Sequence, residues 1–300
     1  MLADGDAFAV ASAAWERAPA RRLRLVLHAG TPKTATKALQ HALYERSGEL
    51  ARAGIWYPPA HVDPEHKKHQ FFIAQLLAGD GVALAAAFDE IVRSAPEHAH
   101  TIVVSTEGFF NHWWDFPPSS KAMIRRLASV FGVQFWACFR EPVDFAISQH
   151  AQLVRNPREF SPAYGLDAGL DEMLDIEWFS RRLDYLGFVC EAEDLVGAGN
   201  VRVFRYGPDI VERVFRALGA PPPPPGQVNP SLRAPGVELM RIVNRYALPE
   251  QSQHRAASLV LQLDLLIGDR AEPLRASDAA AGRVRALTAR TWAALEEALE

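Results

Sequence analysis

The stretch "LHAGTPKTATKALQH", residues 27–41, decides how the rest of the chain is read. An apolar run, "LRLVLH" at 23–28, ends at a Gly-Thr-Pro-Lys turn, and a helical pattern follows from about residue 36 to 52. A strand that delivers a loop to a helix start is a ready anion site, because the first backbone N–H groups of a helix are unpaired and its dipole is positive there. Gly30 permits close backbone approach and Pro32 stiffens the turn. Lys33 adds a point charge, Thr34 or Thr36 begins the helix, and the threonine hydroxyls add donors. The pattern is not a Walker A loop: Lys33 follows Gly30 by only three residues, and the second glycine is missing. An ordinary strand-to-helix turn with a surface lysine is the competing reading.

Three further apolar runs read as buried parallel strands: "TIVVS" at 101–105, "VQFWACF" at 133–139 and "VRVFRY" at 201–206. Helical patterns lie between them, at 67–78, 82–95, from a Ser119 cap to about 131, and from Pro142 to about 155. Alternation of this kind predicts an α/β fold of three layers, a parallel β-sheet flanked by helices, with ligands at the carboxyl ends of the strands. The proline run at 220–226 is a stiff spacer, and the residues after it read as three helices without a strand. The expected organisation is one domain over 1–300, with an N-terminal extension at 1–22 and a mostly helical C-terminal part at 227–300 packed on it.

A net charge of −4 argues against a general nucleic-acid binder, which needs a strongly basic face. Cys138 and Cys190 are the two cysteines, too few for a disulfide framework and without a metal-binding pattern, as in a reducing compartment. The apolar "AFAVASAAW" near the start follows Asp4 and Asp6, which suits a signal peptide poorly. Arg21-Arg22 precedes a strand directly, unlike a twin-arginine export signal. No stretch approaches the roughly 18 apolar residues of a membrane span. A soluble cytoplasmic protein is expected.

"GTPKTATKALQ" resembles the 5′-phosphosulfate loop of bacterial sulfotransferases that use 3′-phosphoadenosine 5′-phosphosulfate (PAPS). Ala35 stands where that family commonly has glycine, which calls for a negative φ, and Lys37 stands where it commonly has Thr or Ser. The family's second signature, an arginine at a strand end and a serine about eight residues on, is matched in "WACFREPVDFAISQH" by Arg140 and Ser148, with Pro142 at the family's usual proline. A guanidinium offers a two-pronged fork to a phosphate, and the hydroxyl adds to it. "GIWYP" at 54–58, "VNPSL" at 228–232 and the strand ending at Tyr206 extend the likeness from about residue 23 to 245.

The resemblance implies a P-loop NTPase-like sulfotransferase fold and PAPS as co-substrate, with no metal. Gly30, Thr31, Pro32, Lys33, Thr34, Ala35, Thr36 and Lys37 would hold the 5′ end, and Arg140 and Ser148 the 3′-phosphate. Lys33 would stabilise the leaving group. Two residues compete as the base that deprotonates the acceptor: Glu107 in "VVSTEGFF" and His69 in "HKKHQFF". Glu107 would otherwise be a helix N-terminal carboxylate, and His69 an exposed polar residue. Trp113, Trp114 and Phe116 offer an aromatic platform for the acceptor, a saccharide, lipid or small molecule; core packing is the alternative. His28 could line the site or be structural, and His66 with His69 makes only a weak metal pair. Two other functions remain: a nucleotide kinase of related architecture, which would want a metal-binding Asp after a strand, and a protein that binds PAPS or its desulfonated product without turnover.

Overall fold

The structure, a computed structural model, describes residues 23–158, 163–224, 232–246 and 248–299. "AFAVASAAW", Arg21-Arg22, the last residues of the proline run and all of "VNPSL" but Leu232 lie outside the described residues.

Five parallel strands form one sheet in the order β2-β3-β1-β4-β5: β1 Arg24–His28, β2 Ile55–Trp56, β3 Thr101–Ser105, β4 Gly132–Phe139 and β5 Val201–Arg205. The short edge strand β2 is an addition to the four runs legible as strands. "GIWYP" supplies only two paired residues, aligned Ile55 to Thr101 and Trp56 to Ile102, too few for a periodic signal. In the centre, Leu25, Val26 and Leu27 of β1 align with Ile102, Val103 and Val104 on one side, and with Val133, Gln134 and Phe135 on the other. The chain builds β2 and β3 on one side of β1 and then crosses to β4 on the other. The switch point of the sheet therefore lies at the carboxyl end of β1, where such folds bind ligands.

Alternate strand residues face opposite layers. Val26, Val103, Trp136 and Phe204 pack with Leu39 and Leu43 of α1 (Thr36–Glu45), Leu50 of α2 (Ser47–Arg52) and a group from the helix Ile210–Leu218. On the other face Leu27 meets Phe72 and Leu76 of α3 (Gln70–Ala78), Leu84 and Phe88 of α4 (Gly81–Ser94) and Phe109 of the short α5 (Gly108–Asn111). That layer is completed by α6 (Pro118–Val130) and by the helix Tyr185–Val196, whose Phe188 touches Phe110, Trp113 and Phe135. This is the expected three-layer α/β arrangement.

Several helix boundaries differ from the sequence reading. The expected helix over 36–52 breaks at Arg46, whose backbone leaves helical geometry while its guanidinium binds Glu49 and the Pro221 carbonyl. The helix expected from 67 starts at Gln70. Residues 63–68 form a tight turn, in which the Asp63 carboxylate accepts from the Glu65 and His66 amides and Lys67 is left-handed. Ser119 is not a cap: Pro117 holds that place, and Pro118 opens the helix with its fixed φ.

The chain divides into two compact units. The sheet unit takes residues 23–140, 185–224 and 295–299, and the helical unit takes 141–184 and 232–294. In the helical unit α7 (Pro142–Arg155) and the helices Ala234–Arg245 and Glu250–Ile267 enclose Ala151, Val154, Leu232, Val237, Met240 and Val260. Among the described residues, no helix is long and apolar enough to cross a membrane.

Candidate functional site

The loop after β1 has the backbone of an anion cradle. Lys33 and Ala35 are left-handed, at φ 66° and 59°, and Thr34 between them is not. Alternating handedness turns successive N–H groups to one side, the geometry of an anion-binding nest. Ala35 is also the N-cap of α1 and has no side-chain oxygen to cap it, so the first amides of that helix add to the same donor set. The negative φ under which an alanine would be tolerated without strain is not what Ala35 has. An alanine occupies a conformation that suits glycine, at a cost of about 1 kcal/mol. Gly30 is required by space rather than φ: a Cβ there would lie 2.6 Å from Thr36 Oγ1 and 2.8 Å from His28 Cε1.

The threonine hydroxyls are not outward donors. Thr31 Oγ1 donates to the Cys138 carbonyl at 2.6 Å and Thr34 Oγ1 to the Thr31 carbonyl at 2.6 Å, and Thr36 Oγ1 lies 3.4 Å from that same carbonyl. They brace the loop from inside. Lys33 is half-buried in this loop and Lys37 is exposed.

Glu107 lies two residues past β3, at the N-cap of α5, on the strand next to β1. Its carboxylate accepts from Gln40 Nε2 at 3.4 Å and pairs with Lys68 Nζ at 3.6 Å; the two side chains of that ion pair are 31% and 20% exposed. Behind it, Gln40 Nε2 also reaches Ser105 Oγ at 3.3 Å, and Ser105 Oγ lies 2.8 Å from His28 Nδ1. Burial lowers His28 to about 4, so its ring is neutral at physiological pH. Tyr57 donates to the Lys67 carbonyl at 2.6 Å, and burial, aided by the charge of Glu107, raises its phenol well above the usual range.

His69 is less suited to the base's role than Glu107. It is fully buried, its Nδ1 accepts from the Ser105 amide at 3.2 Å, and its Nε2 lies 3.0 Å from the Pro58 carbonyl, so both ring nitrogens are used. Burial again lowers it to about 4. Rather than an exposed polar residue, His69 is a pin between β3 and the chain at Pro58. His66 is held by Asp63, and no group of three or more potential metal ligands occurs among the described residues. Two members of the aromatic platform are core: Trp113 and Phe116 are buried, and Trp113 donates to Glu191. Trp114 is half-buried, with its ring against Phe110.

Arg140 follows β4, on the other side of β1 from Glu107, and its guanidinium lies 5.2 Å from the Tyr206 ring centre. Ser148 belongs to the helical unit, on the buried face of α7. The structure thus brings the loop, Glu107 and Arg140 to the carboxyl ends of three adjacent strands. Gln40, Ser105 and Lys68 escaped the sequence reading. A glutamine beside Leu39 in the apolar stripe of α1 was the available signal.

These features define an α/β chain whose switch point carries a strand–loop–helix with the backbone of a nest. The chain matches no protein-family profile and no curated protein sequence. Among solved structures it is similar to the crystal structure of a sulfotransferase from Alicyclobacillus acidocaldarius, at 16% identity and a TM-score of 0.43, over 78% of this chain and 99% of that one. A likeness at that level carries no argument about activity.

Proposed function

We propose that the chain transfers a sulfuryl group from PAPS to a hydroxyl or amine of a saccharide, lipid or small-molecule acceptor. The observation that carries this reading is the left-handed pair Lys33 and Ala35 around Thr34, a nest opening α1 at the end of the central strand. The amides of residues 34–36 would bind the 5′-phosphate, and Arg140 beyond β4 would take the 3′-phosphate. PAPS supplies an activated sulfuryl group on a phosphate leaving group.

The chain's own residues position the reactants and balance charge. Glu107 takes the proton from the acceptor as its oxygen or nitrogen bonds to sulfur. The sulfur–oxygen bond to the nucleotide breaks, its electron pair stays on the phosphate oxygen, and the Lys33 ammonium meets that charge.

Acceptor screening with 35S-labelled PAPS tests the reading. Label should move to one acceptor class, with Lys33→Ala and Glu107→Gln each slower by about a hundredfold or more. Transfer from magnesium–ATP instead would put a kinase in its place. Tight nucleotide binding without turnover on any acceptor would leave a binding protein. Arg140→Ala should weaken 3′-phosphorylated nucleotides far more than those lacking that phosphate, and equal losses would count against its assignment.

A further inference from the structure

We propose that Gln40 is a positioning residue that holds the Glu107 carboxylate at a fixed distance from the anion loop. The inference rests on the reading of Glu107 as the base. Gln40 is 1% exposed, and a buried primary amide is costly unless its groups are bonded. Its Nε2 lies 3.4 Å from Glu107 Oε2 and 3.3 Å from Ser105 Oγ. The chemistry fixes which end of the amide points there: a carboxylate only accepts, so the group facing it is the NH2, with one hydrogen for each neighbour.

The bonds continue behind the amide. Ser105 Oγ receives a hydrogen from Gln40 and lies 2.8 Å from His28 Nδ1, in a bond whose direction the His28 tautomer sets. Burial of His28 keeps that ring neutral. Gln40 thus donates to Glu107 at one end and to Ser105 at the other, and Ser105 is bonded in turn to His28.

Its far end is rigid. His28 and Ser105 are aligned residues of the adjacent strands β1 and β3, and the Ser105 amide is tied to His69. Glu107 begins a four-residue helix two positions past the strand, and its carboxylate has Lys68 on Oε1 and Gln40 on Oε2. Of the two, Gln40 is the one joined to the strands behind it. The same residue stands one helical turn, roughly 5.4 Å, beyond Thr36, on the helix whose start is the anion loop. One rigid rod thus carries the donor site at its tip and the brace for the base a turn later. Bonds of 3.3–3.4 Å are long, as such bonds often are before substrate draws a site together.

The test is turnover of labelled PAPS, read as sulfate release with water standing in for the acceptor, in Gln40→Leu, Glu107→Gln and the double variant. Calorimetry with 3′-phosphoadenosine 5′-phosphate runs alongside. The expectation is that Gln40→Leu lowers kcat by about ten- to a hundredfold, leaves KM for PAPS and nucleotide affinity within about twofold, and adds nothing to Glu107→Gln in the double variant. A purely structural glutamine would slow the double variant further, and that result would overturn the proposal. So would a Gln40→Leu enzyme of wild-type kcat beside a slow Glu107→Gln, with the base reading left standing. Wild-type turnover by Glu107→Gln would remove the base reading itself and this proposal with it. Should Gln40→Leu fail to fold, Gln40→Glu, which keeps the shape and loses the donors, is held to the same outcomes.

Discussion

The carboxyl edge of the sheet buries polar groups, and the helix Glu250–Ile267 exposes apolar ones. Under the anion loop, Thr31, Thr34, Gln40, His28, His69 and Ser105 are enclosed, and each has a hydrogen-bond partner. On the helix Glu250–Ile267, Leu259, Leu263, Leu265 and Leu266 lie in the open, the last at 82% exposure. Enclosed polar groups are tolerable only when every partner is in place, so they make a region precise and sensitive. Exposed leucines make few contacts and leave their helix insensitive to substitution. The contrast places the exacting geometry of this chain at the carboxyl edge of its sheet.

Acid should strain that contrast most. His28 and His69 are held neutral in the fold at about 4, against 6.5 when exposed. Below pH 6.5 the unfolded chain takes up protons that the folded chain refuses. Their contribution is therefore complete above pH 6.5, declines between 6.5 and 4, and is spent below that, at about 3 kcal/mol for each histidine. Urea titrations across this range should show the loss, and His69→Asn should flatten its slope; an unchanged slope would mean that His69 is not buried neutral.

Next comes Phe110→Ala, which empties a site enclosed by Phe139, Tyr185 and Phe188 and should cost about 3–5 kcal/mol in the same titration. Ala35→Gly works in the opposite direction. Relief of the left-handed alanine should stabilise the protein by about 1 kcal/mol, and a loss instead would show that φ at this residue is negative in solution. Smallest is Leu266→Ser in the helical unit, expected within about 0.5 kcal/mol of wild type. A large cost there would show that the leucine face is covered.

How much of this was legible follows from the length of each signal. The strands at 24–28, 101–105, 132–139 and 201–205 announce themselves because buried parallel strands are continuous apolar runs. The two residues of β2 carry no such run, and the break at Arg46 depends on a carbonyl supplied by Pro221, far along the chain. The loop was located by Gly30, Pro32 and Lys33, yet the handedness of Ala35 was not legible, because an alanine in the sequence gives no sign of a left-handed backbone. His69 was misread for a related reason: its partners, Pro58 and Ser105, come from segments that meet only in the folded chain. Gln40 shows the same limit, since a bond to Glu107 spans 67 positions.

The central claim is that the loop after β1 binds the phosphate end of a 3′-phosphorylated nucleotide. Calorimetric titration with 3′-phosphoadenosine 5′-phosphate, beside ADP and magnesium–ATP, tests it most directly. The account predicts tight binding of the first, unaffected by magnesium, with the other two weak. Preference for magnesium–ATP, or no binding of any of the three, would contradict it.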